Sequence, residues 1–335
     1  MPAVCAEIQS KAIGNDVWIW AFGPEVLFME MKVVAALGHN AVGTNFPEQK
    51  KAVHVSTKIL ADLIENGCQL IITHSNAPQV GMIHTALNEY AKNHETYNAP
   101  MSLCSSMSQG LVGYDIQNML HSELMDRGIY KTVSTVITQV IVDPYDEAFY
   151  HPVKVIGRIL NKEEAEEEEN KGNYVVEVEG GYRRIVAAPK PVDIVEIDAI
   201  NALVNAGQIV IAGGGGGIPV LRQPHRLKSA SAIVEKDLTA GKLADLTDAD
   251  VLLFLTGVEK VAIHYGTDHP QYLDHMSPAQ AREYMADGEF GENGMKPKIE
   301  AGVNFVSQKP GRKAIITTPE HALKAIRGEA GTTIC

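Results

Sequence analysis

The segment TKILADLIENGCQLIITHSNAPQVG, residues 57–81, decides the fold class of this sequence. Its first part places apolar residues at helical spacing and ends at an Asn-Gly pair, which is typical of helix termination. The short apolar run CQLIIT (68–73) then predicts a buried strand. Small polar residues follow, from His74 to Ala77, and Pro78 opens the next helix pattern. The order helix, strand, helix is that of a parallel α/β sheet.

The same alternation of strand and helix patterns recurs through most of the 335 residues. Continuous apolar strands between amphipathic helices are typical of a parallel sheet that is covered on both faces. The predicted fold class is therefore α/β, a three-layer α/β/α sandwich around a central, mostly parallel sheet. Strands are predicted at 32–37, 68–73, 132–140, 208–212, 250–256 and 313–317. Helices are predicted between the first two strands and at 78–91, 107–127, 196–206, 237–247, 278–286, 297–308 and 319–327.

Residues 143–192 interrupt this alternation. They contain two short strand candidates, YVVEVE and YRRIVA, separated by a Gly-Gly pair, and so predict a small protruding β subdomain. The acidic run EEAEEEE (163–169) predicts a solvated helix face. On composition alone, the subdomain fits a lid over a functional site and a tolerated insertion equally well.

The composition is that of an ordinary globular protein, with 45% hydrophobic and 21% charged residues. No apolar run approaches the roughly 20 residues that cross a bilayer. The net charge of −12 disfavours binding to nucleic acid or to anionic lipid. The four cysteines, Cys5, Cys68, Cys104 and Cys335, form no Cys-x-x-Cys pair. This predicts neither a disulfide framework nor a zinc site, and it fits a reducing compartment.

Glycines and small polar residues follow four of the predicted strands. Ligands of open parallel sheets bind at the carboxyl ends of strands, and glycines let the backbone approach a ligand closely. The four segments are Gly38-His39-Asn40-Ala41, His74 to Pro78, five consecutive glycines at 213–217, and Gly257-Val258. The glycine run predicts either a phosphate cradle or an ordinary flexible loop. None of the four segments matches a Walker P-loop or a GxGxxG dinucleotide motif.

Three lysines are candidates for the fixed positive charge that phosphoryl transfer requires. Lys154 lies in HPVKVIG within the protruding subdomain, and Lys236 and Lys298 lie at predicted helix starts. A lone lysine is far more often a surface residue that aids solubility. The positions of these lysines at loop-to-helix junctions favour a functional role, but spacing alone does not decide it.

The motifs of the sequence, taken together, match those of a known family. From Met31 to the C-terminus it resembles the carbamate kinases of the amino acid kinase family, through an ordered series of short stretches. These include ALGHNA, ITHSNAPQVG, SMSQGLVGYDIQ, AFYHPVKVIG, IVIAGGGGGIPV, EKDLTAGKLA and MKPKIEA. The resemblance rests on their number and order, because no single motif carries it.

The resemblance implies a cytoplasmic homodimer that moves a phosphoryl group between ATP and carbamate, giving ADP and carbamoyl phosphate. The reaction usually runs towards ATP synthesis and belongs to arginine metabolism. Mg²⁺ is expected to bridge the nucleotide phosphates, and no dedicated metal-ligand cluster is visible in the sequence. The implied organisation is an extension of unknown role at 1–30, an acid-binding lobe at 31–225 that includes the lid at 143–192, and a nucleotide-binding lobe at 226–335.

The resemblance also implies roles for individual residues. Lys154 corresponds to the lid lysine that reaches the active site. Lys236 and Lys298 match the lysines that stabilise the transferring phosphoryl group, and Asp237 matches the carboxylate that organises them. The implied substrate- and phosphate-binding residues are Gly38, His39, Asn40, Ser75, Asn76, Ala77, Gly214, Gly215 and Gly216. The implied nucleotide-binding residues are Lys236, Thr256, Gly257, Tyr265, Met295 and Lys298.

The sequence departs from the family pattern in the loops that the resemblance places at the active site. His39, Ser75, Ala77 and Lys296 stand where the family has glycine, and Gly257 stands where an aspartate usually follows the strand. A Cβ at a glycine position costs about 1–2 kcal/mol where φ must be positive, and it fills space near the ligand. His39 adds a donor for an anionic substrate or narrows the pocket.

Three functions are therefore open. The leading hypothesis is a phosphotransferase that acts on carbamate. The second keeps the kinase chemistry with another small carboxylate or carbamate-like anion as acceptor. The third is a non-catalytic relative that binds nucleotide or carbamoyl phosphate. Lys154, Lys236, Lys298 and Asp237 favour a catalytic function. The substitutions at the family's glycine positions favour the second and third hypotheses.

Overall fold

The computed structural model describes residues 31–94, 99–291 and 294–335. The predicted extension at 1–30, with Cys5, lies outside the described residues. The described part of the chain contains seventeen strands: β1 Met31–Leu37, β2 Cys68–His74, β3 Val133–Thr135, β4 Gln139–Val142, β5 Lys154–Leu160, β6 Tyr174–Val178, β7 Gly181–Val186, β8 Pro191–Ile194, β9 Ile209–Ile211, β10 Ile218–Gln223, β11 Arg226–Ser229, β12 Val251–Leu255, β13 Val261–Ile263, β14 Gln271–Leu273, β15 His275–Met276, β16 Lys313–Thr317 and β17 Thr332–Ile334. Those same ranges contain nine α-helices: α1 Phe46–Glu65, α2 Ala77–Ala91, α3 Met101–Asp126, α4 Lys162–Asn170, α5 Ile197–Asn205, α6 Lys236–Leu246, α7 Pro278–Ala286, α8 Met295–Gln308 and α9 Ala322–Ile326.

The central sheet has eight strands in the order β15-β17-β16-β12-β1-β2-β9-β3. The six strands from β16 to β3 run parallel to one another, and β17 is antiparallel to β16. β1 lies in the middle, with Val33 opposite Val251 of β12 and Met31 opposite Cys68 of β2. The predicted, mostly parallel sheet is confirmed. Both predicted lobes contribute strands to it, and the lobe boundaries stay a prediction.

Helices cover both faces of this sheet. Side chains alternate along β1, so that Val33, Ala35 and Leu37 pack into the core formed with α1, α3 and α9. Val34 and Ala36 pack into the core formed with α5, α6, α7 and α8 on the other face. The alternation follows from the two-residue repeat of a strand. It confirms the α/β/α sandwich and assigns α6 and α8, which carry two of the candidate lysines, to the same layer.

The protruding subdomain is a three-stranded antiparallel sheet in the order β5-β7-β6, joined to α4. Asn161 and Glu164 form a capping box at the start of α4, which explains why a helix begins at that point. The acidic run lies on α4 with its glutamates mostly exposed, apart from the partly covered Glu164 and Glu168, as predicted for a solvated helix face. The name lid subdomain is used below for residues 143–192.

One predicted strand, at 132–140, is wrong as a single element. The structure divides it into β3 in the central sheet and β4 in a four-stranded sheet with the order β11-β10-β4-β8. The chain turns at Thr138, whose backbone N–H and C=O both bond to the side chain of Gln109 (2.8 and 3.2 Å). A side chain from α3 thus holds the chain at the point where it passes from the central sheet to the second sheet.

Two helices differ from the prediction by three or more residues at one end. The helix predicted at 107–127 begins six residues earlier, at Met101, directly after Pro100. The helix predicted at 319–327 is a 3₁₀ turn, Pro319–His321, followed by the short α9. Within the described ranges, none of the helices is both long enough and apolar enough to cross a bilayer.

Candidate active site

Backbone hydrogen bonds bring the carboxyl ends of neighbouring strands to one edge of the central sheet. Gly38 N, directly after β1, donates to Leu255 O at the end of β12 (2.9 Å). Ser75 N, directly after β2, donates to Leu37 O (3.1 Å). The glycine run follows β9, which is the other neighbour of β2. The four polar and glycine-rich segments therefore lie along one edge, as expected for a ligand site in a parallel sheet.

The glycine run is a packed and largely buried turn rather than an exposed flexible loop. Gly215 has φ +66°, and a Cβ built on it would lie 2.0 Å from Nδ2 of Asn76. Gly216 has φ +91°, and its Cβ would lie 2.0 Å from Val234 O. Both positions therefore require glycine, because an L side chain would be strained in φ and would overlap its neighbours.

Three threonines hold the turn in place. Gly213 N donates to Thr138 Oγ1 (2.9 Å), and Thr73 Oγ1 at the end of β2 donates to Gly213 O (2.9 Å). Thr239 Oγ1 in α6 donates to Gly216 O (2.9 Å). These bonds tie the turn to β2 on one side and to the first turn of α6 on the other.

Asp237 joins two of the candidate lysines at the start of α6 and α8. Its Oδ1 accepts from Lys236 Nζ (2.5 Å) and its Oδ2 accepts from Lys298 Nζ (2.9 Å). The Asp237 residue is 3% exposed, and the two lysine side chains are 13% and 12% exposed. Because Gly216 lies against the backbone of Lys236, this ion triad borders the glycine turn.

The triad carries a net positive charge in a nearly water-free setting. Burial alone would raise the pKa of Asp237, but Lys236 and Lys298 outweigh it and hold the pKa below its usual value. The carboxylate is therefore ionised near neutral pH, and two ammonium groups share one negative charge. The surplus of one positive charge suits an anionic ligand such as a phosphoryl group.

Lys154, the candidate in the lid subdomain, is brought to the same helix start by a different carboxylate. Its Nζ donates to Glu235 Oε2 (2.6 Å), and Glu235 immediately precedes Lys236. The side chains of Lys154 and Glu235 are 23% and 22% exposed. All four candidate catalytic residues therefore lie on or directly beside the first turn of α6, or on the lid strand that meets it.

Asn40, Thr256 and Gly257 share a cavity of about 420 Å³ at the same sheet edge. Its remaining walls come from α1 and from the turn that follows β16. The Asn40 amide occupies the space that a side chain at 257 would need, since a Cβ built on Gly257 would lie 2.8 Å from Asn40 Nδ2. The three residues therefore form one wall, on the α1 side of the sheet.

The residues that replace family glycines adopt ordinary backbone conformations. Among the described non-glycine residues, only Asp248 and His264 have positive φ. His39, Ser75 and Ala77 therefore carry no left-handed strain, and the expected cost of 1–2 kcal/mol does not arise at these positions. Their effect on function is limited to the space that they fill and the groups that they add.

The structure places two of the predicted nucleotide-binding residues in different surroundings. Met295 is the first residue of α8 and packs partly against the core beside the ion triad. Tyr265 lies on a turn between β13 and β14 with 73% of its surface exposed. Its role in nucleotide binding stays a prediction.

His74, at the end of β2, lies under the glycine turn. It is 1% exposed, and a Cβ built on Gly214 would lie 2.4 Å from its Nε2. Its Nδ1 is 2.9 Å from Ser75 O, which fits an Nδ1–H donor. Burial, together with the nearby Lys236, lowers the pKa of His74 to about 4, although the bond to Ser75 raises it. The imidazole is therefore neutral in the folded protein at neutral pH.

His74 is expected to make the fold sensitive to acid. Its pKa is lower in the folded state than the unfolded value of 6.5, so the unfolded chain binds the extra proton as pH falls from 6.5 towards 4. The part of the folding free energy that depends on a neutral His74 is fully present above pH 6.5. It is lost below that pH, by about 2 kcal/mol between pH 7.5 and 5.0. Urea unfolding of wild type and His74→Gln at both pH values measures this. An equal loss in the two proteins would contradict the assignment.

Among the described residues, no group of three or more His, Cys, Asp or Glu side chains is placed to hold a metal ion.

Several functional contacts were not predicted from the sequence. Glu235 could have been singled out, because it directly precedes Lys236 in the segment VEKDL. Thr138, Thr239 and Ser108, which accepts from Asn76 Nδ2 (2.6 Å), carry no such signal. Their roles depend on tertiary contacts between distant segments.

A parallel sheet between two helical layers carries a packed glycine turn and a buried lysine pair at one edge, an arrangement suited to an anionic group. The chain belongs to the amino acid kinase family, whose pattern matches residues 31–318.

Individual proteins with similar sequences narrow the comparison within this family. It is 47% identical to the carbamate kinase-like protein YqeA of Escherichia coli over 310 residues, which cover 92% of this chain and all of that protein. It is 41% identical to the carbamate kinase of Staphylococcus haemolyticus over 305 residues, 90% of this chain and 99% of that one. The structure of carbamate kinase from Giardia lamblia bound to AMP-PNP superposes with a TM-score of 0.85 at 31% identity, covering 91% and 98% of the two chains. The predicted resemblance and fold are thereby confirmed.

Proposed function

We propose that this protein transfers a phosphoryl group between ATP and carbamate, with carbamoyl phosphate and ADP on the other side of the reaction. The observation that carries the proposal is the pair of buried lysines joined by Asp237 beside the glycine turn. Phosphoryl transfer needs little covalent help from the protein, and its main requirements are positioning and fixed positive charge. The similarity to carbamate kinases supports carbamate as the acceptor.

Lys236 and Lys298 would neutralise the charge that spreads over the oxygens of the migrating phosphoryl group. Asp237 would hold both ammonium groups in place before the substrate binds, so that little reorganisation is needed during the reaction. The glycine turn would let backbone N–H groups approach the same group closely. Lys154 would add a third positive charge from the lid subdomain.

The nucleotide would bind as its Mg²⁺ complex. Mg²⁺ would shield the negative charge of the phosphates, and among the described residues no group of three or more His, Cys, Asp or Glu side chains is placed to hold the ion. Thr256, Gly257, Tyr265 and Met295 are the proposed nucleotide contacts. Arginine metabolism, a cytoplasmic location and the direction towards ATP synthesis rest on the resemblance alone.

The test of this function is ATP formation from ADP and carbamoyl phosphate in a coupled assay. Turnover in the range typical of kinases, about 1–100 s⁻¹, is expected. The second candidate is a kinase for another small carboxylate, and His39, Ser75 and Ala77 favour it because they alter the acceptor loops. The same assay with acetyl phosphate as the phosphoryl donor distinguishes it from the first. Bound ADP without ATP formation from either donor would contradict both enzymatic candidates and favour a binding protein.

Replacing His39 by glycine is expected to raise the rate with carbamoyl phosphate several-fold. His39 is exposed on a 3₁₀ turn next to Asn40 and has ordinary φ, so the replacement adds space without relieving backbone strain. The measurement is kcat/KM for carbamoyl phosphate and for acetyl phosphate in both proteins. A loss of activity would instead mean that the imidazole contacts the acceptor.

We further propose that two copies of the chain associate through α3. Leu103, Met107, Tyr114 and Met125 lie within a 60° stripe of this helix at about 100° per residue, and all four are exposed. An exposed apolar stripe along a 26-residue helix is typical of a contact surface.

Met107→Asp is expected to convert the dimer to a monomer, because a charge in an apolar contact is not compensated. Sedimentation equilibrium of wild type and variant measures this, with Met82→Asp, an exposed methionine on α2, as control. A wild-type monomer, or a dimer that survives the change, would contradict the proposed surface.

A further inference from the structure

Glu235 lies where the lid subdomain meets the helix that carries the ion triad. Lys154 is the first residue of the lid strand β5, and Glu235 is the residue directly before α6. Their side chains form the 2.6 Å ion pair across 81 positions of sequence, with about three quarters of each side chain buried. The pair therefore connects the lid to the body of the protein beside the proposed reaction site.

The backbone around Glu235 is fixed on the body side. Thr239 N donates to Glu235 O (3.0 Å) in the first turn of α6, and the preceding Val234 O packs against Gly216 of the glycine turn. The backbone that carries Glu235 is thus packed against the same turn that would hold the phosphoryl group.

The base of the lid runs alongside this segment. Lys154 pairs with Val186 in the lid sheet, and the next residue, Ala187, forms a parallel bridge to Ala232. Ile233 N also donates to Ala187 O (3.0 Å). The lid strand is therefore anchored next to the residues that lead to Glu235, and the Lys154–Glu235 pair is the charged contact at the end of this anchor.

The three lysine ammonium groups pair with two different carboxylates, those of Asp237 and Glu235. Both oxygens of Asp237 are taken by Lys236 and Lys298, so Lys154 depends on Glu235. Without Glu235, a third ammonium group would face a site that already carries a net positive charge, and repulsion would favour an open lid.

We infer that Glu235 is a positioning residue: it holds Lys154, and with it the lid, over the glycine turn before an anionic substrate takes up that ammonium group. This inference rests on the proposed phosphoryl transfer only for its kinetic consequence. The structural consequence, a lid that is held by Glu235, does not depend on any activity.

The test uses the full chain without substrate. Glu235→Gln should speed amide hydrogen exchange in residues 154–160 at least tenfold, and Lys154→Met should do the same from the other side of the pair. The double variant should show no further increase, because both changes remove one interaction. Glu300→Gln is the matched control, since Glu300 forms an ion pair of the same length (2.6 Å) at the base of the lid, but with Lys190 rather than with Lys154.

If the protein is active, Glu235→Gln should raise KM for carbamoyl phosphate about tenfold with a smaller change in kcat, and Glu235→Asp should recover part of the loss. Unchanged exchange in Glu235→Gln, or the same increase in Glu300→Gln, would overturn the inference. Absence of turnover in the wild type would contradict the proposed function and would leave the exchange result to decide the inference by itself.

Discussion

Replacing Lys236 by alanine is expected to lower kcat for ATP formation by about 10²–10³. The Lys236 side chain is 13% exposed, its Nζ lies 2.5 Å from Asp237 Oδ1, and its backbone lies beside the glycine turn. A fixed charge in such a setting stabilises the transition state more than an exposed charge does, because little water screens it. The loss should appear mainly in kcat, since the charge on the phosphoryl oxygens changes most during transfer.

Lys242→Ala supplies the matched control for this experiment. Lys242 lies on the same helix, six positions further along, and lines a groove between α6 and α8 outside the proposed site. It should keep a rate within about twofold of wild type, as expected for a surface change. An unchanged rate in Lys236→Ala would remove this lysine from the reaction. Equal losses in both variants would point to damage of α6 rather than to chemistry.

Gly216→Ala is expected to abolish most activity and to destabilise the fold by about 3 kcal/mol. Positive φ costs about 1–2 kcal/mol for an L residue, and overpacking typically adds about 1–3 kcal/mol. The new methyl group would lie 2.0 Å from Val234 O and 3.3 Å from Lys236 N. Since these are backbone atoms, the start of α6 must shift, and Lys236 and Asp237 shift with it.

The Gly207→Ala variant separates the cost of positive φ from the cost of overpacking. Gly207 also has positive φ (+76°), but a Cβ built on it meets no atom within 4 Å. It should lose about 1–2 kcal/mol from φ alone and keep its kcat. Urea unfolding and the coupled assay, applied to both variants, give the comparison. A Gly216 variant that behaves like the Gly207 variant would show that the turn tolerates a side chain and is not the tight contact described here.

Much of the fold follows from local sequence. The helix–strand–helix order around residues 57–81 predicts β2 and its flanking helices, and the continuous apolar run along β1 fits a sheet that is covered on both faces. The helix at 278–286 is predicted to the residue, because Ser277 and Gln280 form a capping box and Pro278 opens the helix. These signals act within a few residues, so a single sequence reveals them.

The parts that the sequence does not reveal depend on contacts between distant segments. Nothing local in TVSTVITQV indicates that Gln109, on α3, bonds to Thr138 where the chain leaves the central sheet. The ion pair of Lys154 with Glu235 spans 81 positions. The backbone angles at His39, Ser75 and Ala77 also required the structure, since a glycine in a relative does not by itself imply positive φ.

The candidate site could be predicted only in part. The resemblance supplies the four catalytic candidates, and the structure brings three of them, Lys236, Asp237 and Lys298, into one hydrogen-bonded group. It places Asn76 and the glycine turn in direct contact. It also places Asn40 and Gly257 together in a separate cavity on the α1 side of the sheet edge.

The central claim is that Lys236 and Lys298 both contact the phosphoryl group during transfer. A crystal structure with ADP, Mg²⁺ and aluminium fluoride, a planar mimic of that group, tests it most directly. We expect fluorine atoms within about 3 Å of both lysine Nζ atoms, the distance of a charge-assisted hydrogen bond, with the mimic resting on the glycine turn. A mimic bound elsewhere, with neither lysine in contact with it, would contradict the claim.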